Sequence, residues 1–268
     1  METVNDIAPF LPSTLQQGDY VALTFFLTTI AMTSGAIFFF FQFFLVPSKY
    51  KNSVLVMGMI LTIAALKYIY MRDYWVAQRV SPTEFRYFDW LLTVPLICVE
   101  FYLLISAFGA PKGKVFRMIG FAVWMLFWGY YGEAIDRENS FMYGLISTLG
   151  AIGALYEVGT GIPYVMNQPN VMLRKGYITM FGLVLVGWNA YPLAYMAIPG
   201  NLLDSFWTPE SLDIVYNLAD IFNKVVFSAV LFLVIIAPSK EYQEKVYGKE
   251  YADSKNDSSE TNYHEQIL

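Results

Sequence analysis

Three side chains in "RYFDWLLTVPLICVE" (residues 86–100) could move protons, although the stretch otherwise reads as a membrane-spanning helix. Asp89, Thr93 and Glu100 are separated by four and seven residues, a spacing that puts all three on one helical face. The helical rise separates the two carboxyls by roughly 16 Å, about half the thickness of a hydrocarbon core. They are too distant to share a proton and read as two stations along one path. Arg86 lies one turn before Asp89, where it could stabilise a charged carboxylate. The competing reading has Arg86 and Glu100 snorkelling at the helix ends and Asp89 in a structural pair.

A second stretch, "YNLADIFNKVVFSAVLF", places Asp220 and Lys224 at the i, i+4 spacing that stacks side chains. A lysine within a span is neutralised, paired or chemically used. Lysine forms Schiff bases with carbonyl compounds, so Lys224 beside carboxylates suits a protonated imine and its counterion. A simple intrahelical ion pair explains the same two residues. Trp90 in the first stretch, with Trp188, Tyr191 and Pro192 in "GWNAYPLAY", adds aromatic bulk and a helix-distorting proline, features that core packing alone also accounts for.

The elements that must hold these residues follow from composition. The 268 residues are 56% apolar, 18% aromatic and only 15% charged, which excludes an ordinary soluble domain. About 20 apolar residues cross a bilayer, and seven stretches qualify, at roughly 19–46, 53–76, 83–107, 115–134, 140–160, 174–198 and 210–237. The fold class expected is all-α, a seven-transmembrane-helix bundle in the lipid bilayer, joined by short loops with turn or charge signals. Residues 1–17 read as an extracellular segment, 18–237 as the bundle and 238–268 as a polar cytoplasmic tail.

Positive charge sets the orientation. Lys49 and Lys51, then Lys112, Lys114 and Arg117, then Arg174 and Lys175 fall on one side, with four more lysines in the tail. That side is expected to be cytoplasmic, leaving the N-terminus outside and the chain in a plasma or inner membrane as a multi-pass protein. The net charge of -5 owes much to the tail and points to no partner. The lone Cys98 lies inside a span, which excludes an intramolecular disulfide. No metal site and no nucleic-acid partner are expected.

"YMRDYW", "SPTEFRYFDWLLTVPLICVEFYLL", "WGYYGEA", "GWNAYPLAY" and "IVYNLADIFNKVVF" together resemble the microbial rhodopsins, and most of all the proteorhodopsins. The resemblance implies all-trans retinal bound as a protonated Schiff base on Lys224 and light-driven outward proton pumping, hence a transporter and not an enzyme. It makes Asp89 the primary proton acceptor and counterion, Asp220 the second counterion, Thr93 the adjacent hydroxyl, Glu100 the cytoplasmic donor and Arg86 the extracellular gate. Trp90, Trp188, Tyr191 and Pro192 match the retinal cage. A photosensor signalling through a partner is the alternative, disfavoured by the carboxylic donor and by the want of a transducer domain. Ile97, at the family's colour-tuning position, implies green absorption.

The resemblance further implies a homo-oligomer, pentameric or hexameric. It also raises a carotenoid antenna, because Gly144 falls where antenna-bearing relatives have a glycine window to the retinal ring. Close helix packing explains a glycine equally well. Lys67 is a departure, standing where proteorhodopsins carry a histidine bonded to the acceptor; the chain's one histidine, His264, is in the tail. A charged Lys67 would favour ionised Asp89; a neutral one would only hydrogen-bond, and a third reading turns it toward a neighbouring protomer.

Overall fold

The computed structural model describes residues 18–249 apart from positions 199, 205 and 238. The N-terminal segment 1–17, the tail beyond 249 and His264 lie outside the described residues. Among the described residues there are seven long helices and no strand. They are α1 (Tyr20–Leu45), α2 (Lys51–Gln78), α3 (Thr83–Ser106), α4 (Gly113–Tyr130), α5 (Ser140–Gly159), α6 (Val171–Met196) and α7. The last is composite, running through Pro209–Asp220, a π-helical turn Ile221–Val226 and Phe227–Ile236. Six of the seven are long and apolar enough to cross a membrane. The exception is α4, which carries Lys114 and Arg117 near its start and continues through a second π-helical turn, Tyr131–Ile135.

Consecutive helices pack side by side, and α7 returns to α1, so the bundle closes into a ring around a common interior. Large apolar side chains such as Leu27, Phe41 and Leu149 face outward, as lipid contact requires, while the polar spanning residues turn inward. Helix starts follow local chemistry. Asp19 caps α1 by accepting from the Ala22 N–H at 2.9 Å, Asn170 caps α6 through the Leu173 N–H, and Thr208 caps α7 ahead of a proline at its first position.

Asp19 also ties the end of α2 to the start of α1. It accepts from Trp75 Nε1 and from Arg79, which ends α2 in the left-handed conformation at φ 56°. Burial raises the Asp19 carboxyl, but the donors from Ala22, Arg79 and Trp75 outweigh it and hold the group below its ordinary value. The contribution is therefore present at neutral pH and lost as the pH falls below about 4. Asp19→Ala is expected to cost about 1 kcal/mol at pH 7 and less in acid, read as the thermal midpoint of the helical signal.

Two features depart from the expected layout. A short helix, Ile162–Met166, precedes α6, and the polar segment after α7 begins with α8 (Lys240–Tyr247). Tyr242 of α8 is buried and donates to Gln42 Oε1 of α1 at 2.9 Å, so this part of the segment docks on the bundle. At the same end Glu157 accepts from Lys114 at 3.1 Å and from Arg117 at 2.6 Å, joining α4 to α5.

Candidate functional site

The interior of the bundle centres on Lys224, which sits within the π-helical turn of α7, a local widening that recurs at functional sites. Its Nζ lies 2.5 Å from Asp89 Oδ2 and 2.7 Å from Asp220 Oδ2. All three side chains are at most 2% exposed. The intrahelical pair expected from spacing is therefore real, and α3 supplies its second carboxylate. A buried cation in this position requires such compensation.

The two carboxylates are not equivalent. Asp220 Oδ1 accepts from Tyr191 OH at 2.6 Å and Trp90 Nε1 at 3.1 Å, while Oδ2 accepts from Tyr68 OH at 2.9 Å as well as Lys224. Donors from α2, α3, α6 and α7 thus use all the acceptor capacity of the Asp220 carboxyl. Asp89 accepts from Lys224 through Oδ2, whereas buried Oδ1 has no partner among the described residues. Asp89 is the carboxylate with an oxygen available for a proton. Thr93 donates to the backbone carbonyl of Asp89 at 2.9 Å, steadying that turn of α3.

Beyond Lys224 lies an apolar cavity walled by α3, α4, α5, α6 and α7. Trp90, Ile97, Trp188, Tyr191 and Pro192 all line it, and so does Gly144. The Trp90 and Tyr191 rings meet edge to face at 4.9 Å, forming its wall beside Lys224. A Cβ on Gly144 would stand 2.7 Å from Tyr195 Cε1, so the glycine is needed for the close approach of α5 to α6. Gly144→Ala is expected to cost about 1–3 kcal/mol, read as the temperature at which helical structure is lost.

Glu100 lies away from this cluster, 0% exposed, with neither carboxyl oxygen partnered among the described residues. Arg86 lies within electrostatic reach of Asp89 but hydrogen-bonds elsewhere: its Nη2 donates to Asp213 at 2.8 Å and to Asn217 at 3.0 Å. The reason is the placement of Asp213, one face of α7 presenting an anion nearer to the guanidinium. Lys67 extends over the Phe88 ring at 5.5 Å and is half-buried, while the ion pair found for Asp89 is with Lys224.

Sequence reasoning missed Tyr68, Asp213, Asn217 and Asn223. The signal for two of those on α7 was present: Asp213 and Asn217 precede Asp220 and Lys224 at helical spacings on a single face. Tyr68 carried no such signal, since tyrosine is common in spans and only the packing of α2 against α7 reveals its partner.

A ring of seven helices around a buried lysine, two carboxylates and an aromatic-walled cavity is the architecture of a microbial rhodopsin. The chain belongs to the bacteriorhodopsin-like protein family, whose sequence model matches residues 19–237. A green-light absorbing proteorhodopsin from Gamma-proteobacterium EBAC31A08 is 35% identical over 228 residues, covering 84% of this chain and 90% of the relative. A blue-light absorbing proteorhodopsin from Gamma-proteobacterium Hot 75m4 is 36% identical over 229 residues, with the same coverage of 84% and 90%. The crystal structure of xanthorhodopsin, a light-driven ion pump with dual chromophore, superimposes with a TM-score of 0.73 at 27% identity, covering 86% of this chain and 98% of that one. The protein is a multi-pass membrane protein of this family.

Proposed function

We propose that the protein is a light-driven outward proton pump, a transporter and not an enzyme, which holds all-trans retinal as a protonated Schiff base on Lys224. The observation that carries this reading is the Lys224 amine, buried between Asp89 and Asp220 at the head of an apolar cavity walled by aromatic side chains. Trp90, Trp188, Tyr191 and Pro192 would hold the polyene, and Ile97 would lie beside it. When bound, retinal supplies light absorption and the imine proton. Adding all-trans retinal to the purified chain should give a visible band that hydroxylamine bleaches; no band would defeat the reading.

The protein's own groups divide the work. Asp89 takes a proton at its unpartnered Oδ1, Asp220 stays ionised within its frame of donors, and Thr93 fixes the backbone that carries Asp89. Glu100 holds a proton in its buried pocket, since burial disfavours the charged form, and returns it from the cytoplasmic side. Glu100→Gln is expected to slow recovery of the pigment by about 100-fold while leaving its colour unchanged, measured by flash photolysis. Lysine-rich connections on the Glu100 side make that side cytoplasmic and the membrane a plasma or inner one.

Ile97 puts an apolar group against the cavity, which supports green absorption; relatives of both colours share about a third of their residues with this chain, so overall likeness does not decide. Ile97→Gln should move the band toward the blue. A carotenoid antenna at Gly144 is supported by the cavity reaching that residue and by the dual chromophore of xanthorhodopsin. Energy transfer from an added hydroxylated carotenoid, lost in Gly144→Phe, tests it.

Lys67 fits the third of its readings best, as a group turned outward beside α3 toward a neighbouring protomer of a pentamer or hexamer. Lys67→Met should alter the oligomer distribution and leave unchanged the pH at which the counterion takes a proton, seen as a red shift of the band. A midpoint raised by about one pH unit would restore its role in tuning Asp89.

A further inference from the structure

The seam between α4 and α5 opens toward the lipid as a groove lined by Arg117, Gly120, Phe121, Trp124, Leu149 and Gly150. Among the described residues it shares no lining side chain with the interior cavity. We propose that this groove binds an anionic phospholipid, with the phosphate on Arg117 and one acyl chain lying over Gly120 toward Trp124.

The shape of the groove follows from three glycines. A Cβ on Gly150 would stand 2.7 Å from Phe121 O and from Met125 N, and one on Gly153 would stand 2.5 Å from the Phe121 ring. Both are required for the close approach of the two helices. Gly120 differs. It is exposed, and a Cβ there would meet no atom of the described residues within 4 Å. Glycine is a poor residue for a helix interior, and no packing contact calls for it here; its missing side chain leaves the hollow. Phe121, Trp124 and Leu149 form apolar walls that remain exposed. The Trp124 indole is held at the far end by donating to the Ile146 carbonyl at 3.1 Å. From Arg117 to Trp124 the groove runs about 10 Å, inside the roughly 15 Å of one leaflet's hydrocarbon. A charged mouth and an apolar floor confined to one leaflet match a lipid.

The charge at the mouth selects the headgroup. Glu157 accepts from Arg117 Nε at 2.6 Å, from Arg117 Nη2 at 3.2 Å and from Lys114 at 3.1 Å. One carboxylate thus faces two cations, and a positive charge is left over. Arg117 Nη1 makes no hydrogen bond among the described residues, and the side chain is 53% exposed. Residues 107–120 and 155–175 form this end of α4, α5 and α6, and Glu157 is their sole acidic residue against Lys112, Lys114, Arg117, Arg174 and Lys175. A phosphate carrying a net negative charge complements that surplus, and Arg is suited to bind it. A zwitterionic headgroup brings its own cation and gains less. A second copy of the chain laid symmetrically on this face would bring the same positive surplus with it.

The test places the full chain, reconstituted with retinal, in phosphatidylcholine vesicles that hold phosphatidylglycerol as the minor lipid. Bromine is carried on the acyl chains of one lipid or of the other. Bromine quenches the tryptophans it touches, and the part of the fluorescence lost in Trp124→Phe belongs to Trp124. Per lipid molecule, brominated phosphatidylglycerol should quench Trp124 about fivefold more than brominated phosphatidylcholine, the enrichment that one basic side chain near the membrane surface supports. Arg117→Gln should bring the two lipids to parity, and it leaves Glu157 paired with Lys114, so no buried anion is orphaned. Gly120→Leu should do the same by filling the hollow, and because it enters open space it carries the test should Arg117→Gln fail to fold. Parity in the wild type overturns the proposal, and so does a preference that survives in either variant. A Trp124 that neither lipid quenches is covered by protein, which overturns it as well. The ratio compares two lipids on the same protein, so it stands whether or not the chain pumps protons.

Discussion

Lys224→Ala is expected to abolish the pigment completely: the purified variant, given all-trans retinal, should show no visible band at any pH. Among the described residues that line the cavity, Lys224 alone carries an amine that can form the imine. The substitution also leaves Asp89 and Asp220 facing each other without the cation that bridges them, 2.5 Å and 2.7 Å from their oxygens. Removing one partner from such a buried cluster costs about 3–5 kcal/mol. Lys224→Arg separates the two effects, because it keeps a cation but cannot form a Schiff base with a carbonyl compound. It should fold better than the alanine variant and remain colourless. A stable band in either variant would show that the chromophore is held elsewhere.

Asp89→Asn is expected to reduce proton transport at least about 100-fold and to shift the band to the red, while retinal still binds. The asparagine keeps the shape of the side chain and removes the anion nearest Lys224, so the colour reports the lost counterion directly. Asp220→Asn should behave differently. Tyr68, Trp90 and Tyr191 all donate to that carboxylate, and an amide cannot accept from all of them and from Lys224. Its chief effect should be weaker retinal binding and lower stability, with the acceptor still in place. Transport surviving Asp89→Asn but lost in Asp220→Asn would reverse the two roles.

Much of this was legible in residue types and spacing. The seven spans were set by length and apolarity, and the helices match those stretches to within a few residues because a bilayer imposes both constraints at once. Asp220 and Lys224 were readable as a pair because both lie on one helix. The bond from Asp89 to Lys224 was not readable from spacing, since it depends on how α3 packs on α7; the family resemblance supplied it. Arg86 shows the limit most clearly. From α3 alone, Asp89 is its natural partner, yet Asp213 of α7 takes its Nη2. The donors around Asp220 come from separate helices, and no periodicity within one helix announces them. Gly144 was ambiguous in the sequence, and the ring of Tyr195 supplies the packing reason for it without closing the cavity to that residue.

Light-driven proton export is tested most directly by illuminating a dense, unbuffered suspension of cells that express the full chain and have been given all-trans retinal. The external pH should fall on illumination, recover in the dark, and stay flat once a protonophore is added. An absence of any light-driven pH change in cells that visibly carry the pigment, or an alkalinisation that a protonophore enhances, would contradict an outward proton pump.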